Sequence, residues 1–192
     1  MFHTKTGIRL TFSRFEAQLS EQLRLSALLP AIKGFPALNL YYRHLFRCVC
    51  RILRHHTALF PGEAPQTLTL ISDISFESDR LLSVVCRLTA QSKELIRIAC
   101  VWSKQSGFPL RLSSFAGKKR NILALVREET ASRLRSGRYL YFPDAVNLSE
   151  RYYRADNFYL DADGPILFYP PQTIASEIEG FPEFRLVFPA SS

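Results

Sequence analysis

The sequence predicts an α+β fold, an antiparallel β-sheet with two main helices packed on one face. Three observations lead there. Residues 66–76, 80–90 and 94–103 alternate apolar and polar side chains, the period of a half-buried strand. Residues 38–56 and 118–136 instead repeat their apolar positions every three or four residues, the period of an amphipathic helix. Finally, 47% of the 192 residues are hydrophobic and 22% are charged, enough apolar surface to bury a core and too little charge for a disordered polyelectrolyte. The length fits a single domain over 1–192, in which 1–34 is an N-terminal strand region.

The elements follow in chain order. Ile8, Leu10 and Phe12 alternate as a strand, while 16–29 reads equally as a helix or a second strand. Pro30, Gly34 and Pro36 are expected to end whatever precedes them. In the helix over 38–56, Leu38, Tyr41, Tyr42, Leu45, Phe46, Val49, Ile52 and Leu53 form the apolar stripe, and Arg43, Arg47, Arg51 and Arg54 form a second stripe at the same spacing. Pro61, Gly62 and Pro65 close that segment.

The three strands that follow are joined by the short polar links Glu77-Ser78-Asp79 and Gln91-Ser92-Lys93, the signature of a hairpin meander with one dry and one wet face. After a turn at Gln105-Ser106-Gly107 and a short extended piece from Pro109 to Leu112, the second helix carries Ile122, Leu123, Val126, Thr130, Ala131 and Leu134 inward. Gly137 is placed as its C-cap. Two strands then flank the turn Asp161-Ala162-Asp163-Gly164, a short helical piece covers Thr173 to Glu179, and Phe184, Leu186 and Phe188 alternate as a last strand.

The net charge is +8, from 25 Lys and Arg against 17 Asp and Glu, and it is unevenly spread. From Arg97 to Arg138 there are ten Lys/Arg against two Glu; from Asp144 onward there are eight Asp/Glu against three Arg. Basic helix faces are a footprint of nucleic-acid binding, because neutralised phosphates release counterions. Arg43, Arg47 and Arg51, with Lys118, Lys119 and Arg120, are the candidates for that role. The same rows are also what a solvated helix face opposite a core looks like.

Catalytic motifs are missing from the string. It contains no GxSxG, HExxH or GxxxxGK[ST]. His3, His44, His55 and His56 lie in the first third, beside no evident nucleophile. Asp161 and Asp163 could serve acid–base chemistry or hold a cation, but Asp-x-Asp-Gly is also ordinary turn chemistry. Cys48 and Cys50 form a CxC pair rather than the CxxC hook of zinc sites, and four cysteines are too few for a disulfide scaffold. His44, Cys48 and His55 can share one side of a helix, which is the sole metal hint, and buried thiols on apolar faces explain the cysteines as well. No enzyme activity, metal or cofactor is expected. No signal-type or membrane-spanning apolar run occurs, which places the chain as written in the cytoplasm.

The string from Asn157 to Phe188 resembles the C-terminal signature of the RsiV-type domain family. Phe158, Tyr159, Asp163, Gly164, Phe168, Tyr169, Pro170, Pro171, Ile174, Ala175, Gly180 and Phe184 meet the family's aromatic, Asp-Gly, Tyr-Pro-Pro and Ile-Ala positions. Similarity extends more loosely through Leu81–Val84, Val101–Leu112 and the two helices. Members commonly carry a Gly-Gly-Ala-His-Gly string between the middle strands, where this chain has Gln91-Ser92-Lys93-Glu94. The family includes the lysozyme-sensing part of an anti-sigma factor, the non-catalytic region of some peptidoglycan deacetylases, and many bacterial proteins without an assigned role. The resemblance implies a non-catalytic binding or regulatory domain with a protein partner, and it marks Tyr159, Tyr169, Pro170 and Pro171 as candidate contact residues. A basic nucleic-acid-binding protein and a cell-wall-associated accessory domain are the alternatives.

Overall fold

A computed structural model describes residues 10–57, 60, 65–116 and 121–186. The fold is α+β. The chain runs β1 (Leu10–Gln18), β2 (Leu23–Ile32), α1 (Pro36–His55), β3 (Gln66–Glu77), β4 (Leu81–Ala90), β5 (Lys93–Ser103), β6 (Pro109–Leu110), α2 (Ser113–Ala116), α3 (Ile122–Ser136), α4 (Ala145–Arg151), β7 (Phe158–Asp161), β8 (Gly164–Phe168), a 3-10 turn (Glu177–Glu179) and β9 (Glu183–Arg185). Strands β1 to β6 form one sheet in sequence order, and β7-β8-β9 form a second, smaller one. By their contacts the residues fall into two compact units, one from residues up to 98 with 102–108, the other from 99–101 with 109 onward.

In the first unit, the ambiguous stretch 16–29 is strand. β1 runs on to Gln18, reverses through 19–22 and pairs antiparallel with β2 from Leu10↔Ile32 to Gln18↔Arg24. The alternation of β2 explains why: Leu23, Leu25, Ala27 and Leu29 are buried while Arg24 and Leu28 are exposed. Pro30 does not end the strand, contrary to expectation. It sits inside β2 opposite Phe12, two residues past the point where the ladder to β3 stops at Leu28↔Ile71, so that ladder asks no amide of it.

The sheet is not antiparallel throughout. β2 and β3 are parallel, in register from Leu23↔Gln66 to Leu28↔Ile71. Parallel neighbours need a crossover, and α1 supplies it, lying against β2. Its first turn is anchored by one side chain: Asn39 Oδ1 accepts from the Ile32 amide at 2.9 Å, and Asn39 Nδ2 donates to the Ile32 carbonyl at 2.9 Å. Pro36 at the helix start needs no partner for an amide it lacks. Leu38, Tyr42, Val49, Cys50 and Leu53 are buried, so Cys50 replaces Ile52 on the inward stripe; Ile52 is 52% exposed. Tyr42 and Trp102 close the core around a 3.3 Å hydrogen bond from the indole N–H to the Tyr42 hydroxyl.

The hairpins are where the links predicted them. β3 pairs antiparallel with β4, and Gln91 and Ser92 both take positive φ, 46° and 69°, as a tight two-residue turn demands. The one-wet-face expectation fails at β4, where Leu82 to Cys86 are all buried irrespective of parity. Burial, offset by a hydrogen bond with Ser72, pushes the Cys86 thiol up to about 11, and burial also raises Cys50. Both are packing residues at neutral pH.

In the second unit, α3 starts at Asn121, whose side chain accepts the Ala124 amide, and ends at Gly137 in the left-handed region with φ 62°. Val126 and Thr130 are its buried residues, while Leu123 is 39% exposed. α3 packs on α4, a two-turn helix that the sequence pattern did not announce. Both faces of the small sheet are buried, one through Phe158, Leu160, Leu167 and Phe184 and the other through Ile166 and Phe168. Phe188 lies outside the described residues, as do Ile8, Pro61 and Gly62.

Candidate functional site

The signature residues build a frame in the second unit. Asp161 makes the turn between β7 and β8: its Oδ1 accepts the Asp163 and Gly164 amides at 2.9 and 3.1 Å. Arg185 from β9 grips the same carboxylate with two guanidinium nitrogens, one at 2.6 Å from Oδ1, and reaches Asp163 at 3.4 Å. The Arg185 hydrogen bond holds the Asp161 carboxyl below the usual carboxylate range. The two aspartates are thus spent on turn geometry and on one arginine.

That depression has a sign in solution. Asp161 contributes stability above its unfolded-state pKa of about 3.9, and the contribution disappears as pH falls through the lower folded value. An acid titration followed by circular dichroism should show the wild type weakening below about pH 4. Asp161→Asn keeps the oxygen that accepts the two turn amides, so it should lower stability at pH 7 and flatten the acid limb. An unchanged acid limb in that variant would remove Asp161 from the linkage.

Tyr159 and Tyr169, candidate contact residues by resemblance, are 8% and 1% exposed. The Tyr159 hydroxyl donates to Glu183 Oε1 at 3.0 Å, and the Tyr169 hydroxyl donates to the Ser149 carbonyl at 2.7 Å. Burial raises the Tyr169 hydroxyl above the ordinary phenol range. By strand parity the two rings lie on opposite faces of the small sheet, Tyr159 beside Phe168 and Tyr169 beside Phe184, and both faces are covered. Their hydroxyls tie β7 to β9 and the end of β8 to α4. Pro170 is exposed and Pro171 half-buried.

Beyond the two prolines the chain forms a knuckle. Gln172, with φ 60°, donates to Glu177 Oε2 at 2.8 Å. Ser176 caps the 3-10 turn by accepting the Ile178 amide at 3.2 Å, and Gly180 closes it. Tyr141 bridges antiparallel to Ala175, the Ser176 amide donates to the Leu140 carbonyl at 2.9 Å, and the Leu140 amide donates to Glu179 Oε1 at 2.8 Å. This frame leaves Ile178 at 85%, Leu140 at 55% and Tyr139 at 41% exposure. Exposed apolar side chains held on a fixed backbone suit an interaction surface.

An open cleft of about 240 Å³ in the same unit is lined by Leu125, Glu128, Glu129 and Ser132 of α3 and by Arg185 and Leu186. Its charges are mostly engaged, Arg185 by Asp161 and Glu129 by Arg133 at 2.8 Å.

This architecture is similar to that of solved DUF3298 proteins. Two solved structures share it: a DUF3298 family protein from Pseudomonas aeruginosa PAO1, with TM-score 0.60 and 14% identity over 95% of this chain and 91% of that one, and a DUF3298 member from Bacteroides fragilis NCTC 9343, with TM-score 0.54 and 12% identity over 94% and 90%. No family model matches the sequence, and no curated protein does. The DUF3298 fold denotes a domain of unknown function, so the likeness carries architecture and no activity.

In the first unit, α1 places Arg43, Arg47 and Arg51 on its exposed face together with Arg54. Lys118, Lys119 and Arg120 lie outside the described residues. Of the metal hint, His44 Nε2 and Cys48 Sγ meet at 3.3 Å, and among the described residues no third His, Cys, Asp or Glu joins them. No described helix is long and apolar enough to cross a membrane. Ile178 and Leu140 escaped the sequence reading, because a lone apolar residue in a short helical piece looks like core; only the distant Tyr141–Ala175 bridge turns them outward.

Proposed function

We propose that this chain is a non-catalytic binding domain that docks a protein partner through the knuckle of Tyr139, Leu140 and Ile178. The observation that carries the reading is the 85% exposure of Ile178 on a turn whose backbone is fixed on both sides by hydrogen bonds. A large aliphatic side chain on a rigid turn buries apolar area on binding without first losing backbone entropy. Central apolar anchors of this kind carry a large share of interface energy. Exposed Pro170 and the Gln172–Glu177 contact extend the same surface, so two of the residues marked by the RsiV-type resemblance, Pro170 and Pro171, stay beside it. The resemblance to a family of non-catalytic sensing and accessory domains supports the same conclusion.

Quantitative affinity capture from the native lysate tests it, with wild type and Ile178→Asp as paired baits. The expected result is a saturable partner held by wild type and bound at least about tenfold more weakly by the variant. A lysate with no protein that distinguishes the two baits overturns the reading.

A further inference from the structure

We propose that the outward face of α1 is a second docking surface, shaped for an acidic amphipathic helix of a protein partner. Arg43, Arg47, Arg51 and Arg54 are all exposed and step by four, four and three residues along the helix. At 1.5 Å per residue the rungs are about 6 Å apart and the row about 16 Å long. Leu40, 67% exposed, extends the row toward the helix start, and Ile52, 52% exposed, flanks it.

The row's charge is not met within the described structure. α1 contains no Asp or Glu. Among the described residues none of the four arginines makes an ion pair, while Glu16, Asp73, Glu77 and Glu94 of the same unit are paired to Arg24, Arg87, Lys104 and Arg97. Like charges at i and i+4 weaken a helix. Here they stand one turn apart along most of the row, with the opposite face of α1 committed to the core. A surface that keeps this repulsion is complementary to negative charge.

Three features select a protein helix among polyanions. The cations are all arginine, which engages carboxylates in bidentate fashion and is enriched in protein interfaces where lysine is depleted. Leu40 and Ile52 offer apolar contact that a phosphate backbone does not return, and no Phe, Tyr or Trp of α1 is exposed for base stacking. Carboxylates on a partner helix at i, i+4, i+8 and i+11 repeat at the same rise as the arginines, so several pairs form in one register. An acidic segment with leucines beside that row satisfies both halves of the surface.

The test uses the full chain and a synthetic 20-residue helical peptide with four Glu at that spacing and two flanking Leu, read by fluorescence anisotropy at about 150 mM salt. Saturable binding is expected. It should weaken at least about tenfold for Arg47→Glu/Arg51→Glu, and recover when that double variant meets a peptide with Lys in place of the Glu row. Leu40→Ser should weaken it severalfold. All these positions are exposed, and an unchanged thermal melt certifies the fold of each variant. Ile178→Asp should leave peptide binding as in wild type, which separates this surface from the knuckle. Three results overturn the proposal: no peptide binding, equal binding of a peptide with the same composition and scattered Glu, or tighter Arg47/Arg51-dependent binding of single-stranded or duplex DNA or of phosphatidylserine vesicles.

Discussion

Val126→Asp abolishes the cooperative fold of the second unit. Val126 is 0% exposed on the inward side of α3, and its carbonyl already accepts the Thr130 hydroxyl at 2.7 Å. A carboxylate there has neither water nor a cation, and an unpaired buried charge costs on the order of 5 kcal/mol. Domains are stable by about 5–15 kcal/mol, so this one substitution consumes most or all of the margin. Val126→Ala is the control. It removes two buried carbons without adding charge and should cost about 2 kcal/mol. Phe46→Asp in the first unit should cost less than Val126→Asp. The Phe46 ring is only half-buried, 5.3 Å from Phe15, and a carboxylate at its place can reach water. Far-UV circular dichroism under urea separates the three, with the single tryptophan, Trp102, reporting on the first unit. A native-like melt for Val126→Asp would sink this account of α3.

Phe184→Ala should lower stability by about 3–5 kcal/mol. The Phe184 ring is 0% exposed and lies edge-on to Tyr169 at 5.6 Å and stacked with Tyr141 at 6.4 Å. The Arg133 guanidinium sits 4.6 Å from its centroid while bonding Glu129. The alanine therefore opens a void and also strips an aromatic face from a half-buried cation. Phe184→Leu divides these effects. Leucine refills most of the volume but gives neither edge-to-face contact nor a cation–π partner, and should cost about 1–3 kcal/mol. Urea denaturation of both variants gives the two numbers. Equal losses would mean that the void is unimportant and the aromatic contacts dominate.

The sequence displayed best what is local. Strands β3 to β5 and their links were readable because alternation and turn residues lie within a dozen positions of one another. The caps of α3 were readable for the same reason, since Gly137 sits directly after the last apolar repeat. The parallel pairing of β2 with β3 is a long-range fact, and nothing in either strand encodes it. Pro30 misled because a proline is tolerated wherever pairing with the neighbouring strand has already stopped, which no single strand reveals. On α1 the spacing allowed both Ile52 and Cys50 on the inward stripe, and only the packed helix shows that Cys50 takes it. At the candidate site, the residue types of Tyr159 and Tyr169 were right for a contact surface, but both faces of the small sheet are covered, so the two rings are buried on opposite sides of it. The knuckle needed a strand bridge between residues 141 and 175 to become visible.

The α1 crossover also bears on how the first unit assembles. The antiparallel hairpins β1–β2, β3–β4 and β4–β5 each close over a few residues, and such turns form in about 1–10 microseconds. Joining β2 to β3 closes a loop of about forty residues, an entropic toll collected before any of the six register pairs from Leu23↔Gln66 to Leu28↔Ile71 can repay it. The seam is therefore the late, rate-setting step of this unit. The Asn39–Ile32 clasp ties the start of α1 to the end of β2, so once it forms it shortens the span that this seam must close.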